Sequence, residues 1–199
     1  MLDGRLSLDD HIGTLVKACN YHLSVLRHIR PMLTVDTASL IACSIFGSRL
    51  DYCNGLYFGM SESNFHRLQR VQDSLARIVA AVPYSASAIT ARQTLHWLPI
   101  KQRVVHKLAV TTFKAYHTGT PSYLSELLTD YCPTRRLRSS TSLLLSIPRV
   151  SLQLTSRGFA HAAPTIWNSL DLSVRSISTL PAFKRHLKTS LMSSGHLST

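Results

Sequence analysis

Acidic side chains are scarce in this chain of 199 residues, where 10 Asp and Glu face 22 Lys and Arg for a formal charge of +12. A site that holds two divalent metals needs several carboxylates, usually with an Asp pair in a tight hairpin between apolar strands. Asp9-Asp10 is the sole adjacent pair, preceded by Ser7-Leu8 and followed by a helical pattern, so it reads as helix capping. Glycine-rich phosphate loops are missing, since neither G-x-x-x-x-G-K nor G-x-G-x-x-G occurs. G-x-S-x-G is missing too, and no Ser, Cys or His stands in a pattern that marks a nucleophile or its base. Cys19, Cys43, Cys53 and Cys132 are scattered, with no C-x-x-C and no His at finger spacing, which argues against zinc and for reduced thiols. Long apolar runs are also lacking. Apolar runs such as Leu143–Leu145 fall far short of a membrane span, and Met1-Leu2-Asp3-Gly4-Arg5 lacks the basic-then-apolar order of a signal peptide. These absences predict a soluble intracellular chain, nuclear or cytoplasmic, with no catalytic residue, no metal site, no cofactor and no membrane partner.

What is present is a globular composition, 45% hydrophobic, with enough length to bury a core. The charge is uneven: residues 1–130 carry 13 basic and 9 acidic side chains, whereas 131–199 carry 9 and 1. Such an excess favours polyanionic partners, the C-terminal third more than the rest. Helical periodicity dominates. A first helix is predicted from Ser7, Asp9 and Asp10 to about Arg30, with Ile12, Leu15, Cys19, His22, Leu26 and Ile29 on one face and Pro31 ending it. His22 reads there as a core histidine. A second helix opens at Thr34 or Asp36 and runs to about Ser48, and the Asn54-Gly55 pair marks a turn after it. Ser61 caps a third helix to about Val82 whose buried stripe is Phe65, Leu68, Val71, Leu75, Ile78 and Val82. Shorter helices are predicted over 86–95, from Pro121, over 158–168 around Trp167 and over 181–192. A long one starts at Pro99 and ends before Gly119. Pro, Ser and β-branched residues over 131–154 predict extended structure with a candidate β-hairpin. The fold class is therefore mainly α, a helical bundle followed by a less regular basic extension.

Three cationic groups stand out. In the long helix Arg103, Lys107 and Lys114 fall within a sector roughly 40° wide, opposed by Val104, Val105, Leu108, Ala115 and Tyr116. In the third helix Arg67, Arg70 and Arg77 share a side with His66, and Asp73 lies on that side too. Arg135, Arg136 and Arg138 form a compact cluster near Tyr131, an aromatic ring able to stack on a base. Cations in a line can track phosphates along a duplex. A solvated helix face or loop carries the same pattern, and both readings stand for each group. Trp167 and Phe159 read as buried anchors for the C-terminal segment rather than base-stacking rings.

Several stretches in order resemble one family. They are Leu2-Asp3, Leu6-Ser7 and His11-Ile12; Ser48-Arg49-Leu50-Asp51-Tyr52-Cys53-Asn54; Leu68-Gln69-Arg70-Val71-Gln72 with Ala76-Arg77; and His96-Trp97-Leu98-Pro99. Pro121-Ser122-Tyr123-Leu124, Leu137-Arg138-Ser139, Ala162-Ala163-Pro164 with Trp167-Asn168-Ser169-Leu170, and Phe183-Lys184 with Leu187-Lys188 follow. Together they resemble the region after the palm in reverse transcriptases of LINE-type (non-LTR) retrotransposons, of the Jockey-like group. The resemblance spans essentially the whole chain. It implies a remnant of the last palm strand over 1–7, a thumb-like helical bundle over 8–128 and a basic C-terminal extension over 129–199. The implied partner is an RNA/DNA template–primer duplex, with the absent palm as a second partner. The catalytic aspartates of such an RNA-directed DNA polymerase, and the Mg it needs, would belong to residues before Met1, so the chain also resembles a truncated copy of a transposable element. Two places depart from the family pattern: Asp73-Ser74-Leu75 stands where Asn-Ala-Ala is usual, and Asp171 where a Pro is usual.

Overall fold

A computed structural model of the chain describes residues 7–133, 143–152 and 155–194. The fold is mainly α. Its helices are α1 Asp9–Ile29, α2 Val35–Ala42, α3 Ser48–Leu50, α4 Glu62–Ala80, α5 Ala88–Thr94, α6 Ile100–Thr118, α7 Ser122–Ser125, α8 Phe159–Ser169, α9 Leu172–Arg175 and α10 Leu180–Ser194. Two compact units emerge, one of residues 1–54 with 60–103, the other of 55–59 with 104–199. The division falls inside α6, and the boundary expected at 128/129 lies within the second unit.

In the first unit, local chemistry sets the helix ends. Thr34, Ser61 and Ser87 each accept a hydrogen bond from the backbone N–H three residues on, which satisfies one of the orphan donors of α2, α4 and α5. α1 starts differently, because Leu8 takes a left-handed conformation and makes no side-chain cap, while Ser7 Oγ accepts from the Asp9 N–H. Ala81 and His96, both at positive φ, close α4 and α5 with backbone bonds from Val82 to Arg77 and from Trp97 to Arg92. The helix expected up to Ser48 is present but loosens, with Cys43–Gly47 wound as a π-helix between α2 and α3.

The core of this unit is the α1–α4 pair with α2 and α5 against α4. Ile12, Cys19, Leu23 and Leu26 of α1 are buried, as are Phe65, Leu68, Val71, Leu75 and Ile78 of α4. Val82, expected in that stripe, lies past the helix end and is exposed. α1 and α4 run in the same direction, since Asp9 meets Asn64 near their N-terminal ends and Arg30 meets Ile78 and Val79 near their C-terminal ends. His22 is half-buried with its ring edge-on to Phe46, as a core histidine would be.

The second unit is built on aromatic packing. Phe113 of α6 stacks on Phe183 of α10 at 4.4 Å between ring centroids, and Trp167 of α8, fully buried, stacks on Phe183 at 5.9 Å. Residues 143–145 are pinned to α8 and α9. Trp167 Nε1 donates to the Leu143 carbonyl, and the Asn168 side-chain amide both accepts from the Leu145 N–H and donates to its carbonyl, imitating a neighbouring strand. Arg175, buried, donates to the Leu170 and Leu143 carbonyls. Where a hairpin was a candidate, a single antiparallel bridge joins Asp130 to Leu145, and no strand forms among the described residues. The carbonyls of Leu143 and Leu145 and the Leu145 N–H are satisfied by helix side chains, while the Leu144 carbonyl accepts from the Tyr131 backbone N–H.

Candidate nucleic-acid interface

α6 owes its position in the second unit to Val104, Leu108, Ala109, Thr112, Phe113 and Ala115, all buried. Lys107 and Lys114 are exposed on the same helix and form no side-chain hydrogen bond or ion pair among the described residues. They are seven residues apart, so they stand about 10 Å apart along the axis and within about 20° of each other around it. No acid neighbours them on α6, whose Ile100–Thr118 sequence contains none.

Arg103, in the first turn of α6, belongs to the first unit. Its Nε donates to Asp51 Oδ1 at 2.9 Å and its second nitrogen to Asp51 Oδ2, a two-pronged pair. Asp51 also accepts from Asn54. The Asp51 and Asn54 of the Ser48–Asn54 motif are thus occupied in holding the start of α6. Arg103 is half-buried and its charge is already opposed, which separates it from the two lysines.

The three α4 arginines divide in the same manner. Arg70 is exposed, with no partner among the described residues. Arg67 donates to Asn64 Oδ1, which is itself held by Asp9, and its guanidinium lies where a side chain at Gly13 would go, 3.3 Å from that Cβ position. Arg77 Nε donates to the Ala86 carbonyl, and its guanidinium carbon sits 5.1 Å above the Tyr84 ring. Asp73 is already partnered: its Oδ1 accepts from Gln69 and lies 2.9 Å from Arg92 Nε, an ion pair by distance although not aligned as a hydrogen bond. Arg135, Arg136 and Arg138 lie outside the described residues. Tyr131, beside them in sequence, is exposed.

Sequence reasoning missed the polar ties that hold these groups. Gln72, fully buried, donates to the Leu98 carbonyl, and Gln69 accepts from the Ile100 N–H. The Leu68–Gln72 and His96–Pro99 motifs are therefore two halves of one hydrogen-bonded joint. Arg30 was also missed. Its guanidinium donates to the carbonyls of Ile78, Val79 and Leu33, satisfying the C-terminal end of α4, 48 residues away in sequence. The signal available was weak: a cation after a helix end fits its own helix dipole, and nothing local names a second helix. Tyr116 donates to Asp130 Oδ1 at 2.7 Å, and that bond, burial and the carboxylate charge push its phenol up to about 12.

Among the described residues no cluster of three or more His, Cys, Asp or Glu is placed to hold a metal ion, and no helix is long and apolar enough to cross a membrane. No family model, curated protein or solved structure matches the chain.

Proposed function

We propose that the chain is a noncatalytic segment that grips a template–primer duplex, the role of a thumb beside the polymerase site of a retrotransposon reverse transcriptase. The observation that carries this reading is the Lys107–Lys114 pair, two unopposed ammonium groups on one face of a helix whose other face is buried. Such a pair matches the spaced negative charge of a nucleic-acid backbone. The order of the sequence motifs supports the polymerase context, with the metal-binding carboxylates belonging to a different part of a longer polypeptide. Within the first unit, and independently of that pair, Arg70 is an exposed cation with no partner among the described residues.

Fluorescence anisotropy with a labelled RNA/DNA hybrid at several salt concentrations tests the reading. Reversing both charges in Lys107→Glu/Lys114→Glu is expected to weaken binding at least about tenfold and to reduce the salt slope by about two. An unchanged affinity and slope in a folded variant would reduce the pair to a solvated face.

A second reading rests on apolar exposure. Met32 is 85% and Leu40 68% exposed in and beside α2, a surface suited to another part of a longer polypeptide. A remnant of that kind would aggregate in isolation and show no duplex binding at physiological salt.

A further inference from the structure

We propose that the cleft between the C-terminal ends of α1 and α4 receives an unpaired nucleotide of a single-stranded nucleic acid. The proposal rests on the duplex-gripping reading and extends it from the paired to the unpaired part of a template. The cleft has a volume of about 610 Å³, within the range of small-ligand sites and ample for one nucleotide. Pro31, Ile78, Ala81 and Val82 give it an apolar wall, and Arg27, Arg30 and Arg77 give it charge of one sign.

The arginines do not serve one purpose. Arg30 is consumed by carbonyls, which neutralises the negative end of α4. Arg27 is exposed at the mouth, with no hydrogen bond or ion pair among the described residues. Arg77 is locked by the Ala86 carbonyl beneath the Tyr84 ring. That ring is 83% exposed although it is large and apolar. One face is taken by the guanidinium, and the exposure leaves the other face for a planar partner. A nucleobase satisfies this surface by stacking, and its phosphate satisfies Arg27. No acidic residue lines the cleft. An aliphatic anion would leave the ring unused, and a neutral aromatic would leave Arg27 unused.

The test uses the full chain with labelled oligo-dT and oligo-rU twelve nucleotides long, which form no duplex, beside the RNA/DNA hybrid. Tyr84 is exposed, so Tyr84→Ala keeps the core. It is expected to weaken the single-stranded probes about tenfold, from the general worth of one stacked base. Tyr84→Phe retains binding, Arg27→Glu weakens it, and hybrid affinity is unchanged in all three. Unchanged oligo-dT and oligo-rU affinity in folded Tyr84→Ala overturns the proposal. So does equal displacement of oligo-dT by a Glu-rich peptide, which would assign the cleft to an acidic polypeptide. If Lys107→Glu/Lys114→Glu loses the hybrid while Tyr84→Ala leaves the single strands bound, the cleft proposal alone fails. If the hybrid is unaffected by the lysine reversals, the duplex reading fails instead.

Discussion

Helices α4 and α6 have the same length, 19 residues each, and each carries cations at helical spacing, yet α4 ties two of its three arginines to neighbours while α6, beyond Lys101 and Arg103, leaves Lys107 and Lys114 untied. On α4, Arg67 and Arg77 are tied to Asn64 and to the Ala86 carbonyl, and Asp73 is tied to Gln69 and Arg92. On α6, Lys107 and Lys114 extend into solvent with nothing opposite them. The contrast follows side-chain chemistry. A guanidinium offers a rigid fork of donors that can satisfy carbonyls and carboxylates at once, whereas an ammonium is a compact, strongly hydrated charge, paired with Glu62 at Lys101 but left in water at Lys107 and Lys114. A shared net charge therefore hides two roles, fastening and presentation. Arg103 shows the division within a single helix, since it fastens α6 to Asp51 while the lysines after it do not fasten anything.

The largest effect is expected where fastening is densest. Arg30→Ala removes donors from two carbonyls at the end of α4 and one at Leu33, and should cost about 3 kcal/mol in chemical denaturation. A cost below about 1 kcal/mol would mean that water replaces the guanidinium and that the arginine is not a fastener. Gln72→Leu comes next. It strips the buried Leu98 carbonyl and the Gln69 amide of their partner and should cost about 2 kcal/mol. Arg103→Ala should cost about 1 kcal/mol, less than either, because Asp51 and Arg103 are both partly exposed and water screens the pair.

The helices and their apolar faces were legible because they depend on spacing and capping alone. Ser61, the stripe from Phe65 to Ile78, and Val104, Leu108 and Ala115 of α6 are all local patterns, although Phe113, which stacks on Phe183, was not among the positions expected on the α6 face. What was not legible depends on pairs distant in sequence. Arg103 and Lys107 look alike in a helical projection, and only the placement of Asp51, 52 residues earlier, separates them. Likewise the segment 143–146 was readable from composition as non-helical, although no strand forms there. Its partners were not, because a side-chain amide at Asn168 supplies the bonds a second strand would have supplied. Pattern reasoning anticipates which residues are cationic and exposed on average. It does not anticipate which are already spoken for.

The smallest stability effect is expected at the two lysines, and for the contrast it is the most informative. Lys107→Ala/Lys114→Ala should change unfolding free energy by less than about 0.5 kcal/mol, since neither side chain loses a partner and alanine favours the helix. Removing two like charges seven residues apart also slightly reduces repulsion within a chain of charge +12. A loss above about 1 kcal/mol would show that these ammoniums fasten the fold after all, and α6 would then resemble α4. A neutral result together with weakened binding to the RNA/DNA hybrid separates presentation from fastening in one experiment. The charge would then matter to a partner while contributing almost nothing to the fold that carries it.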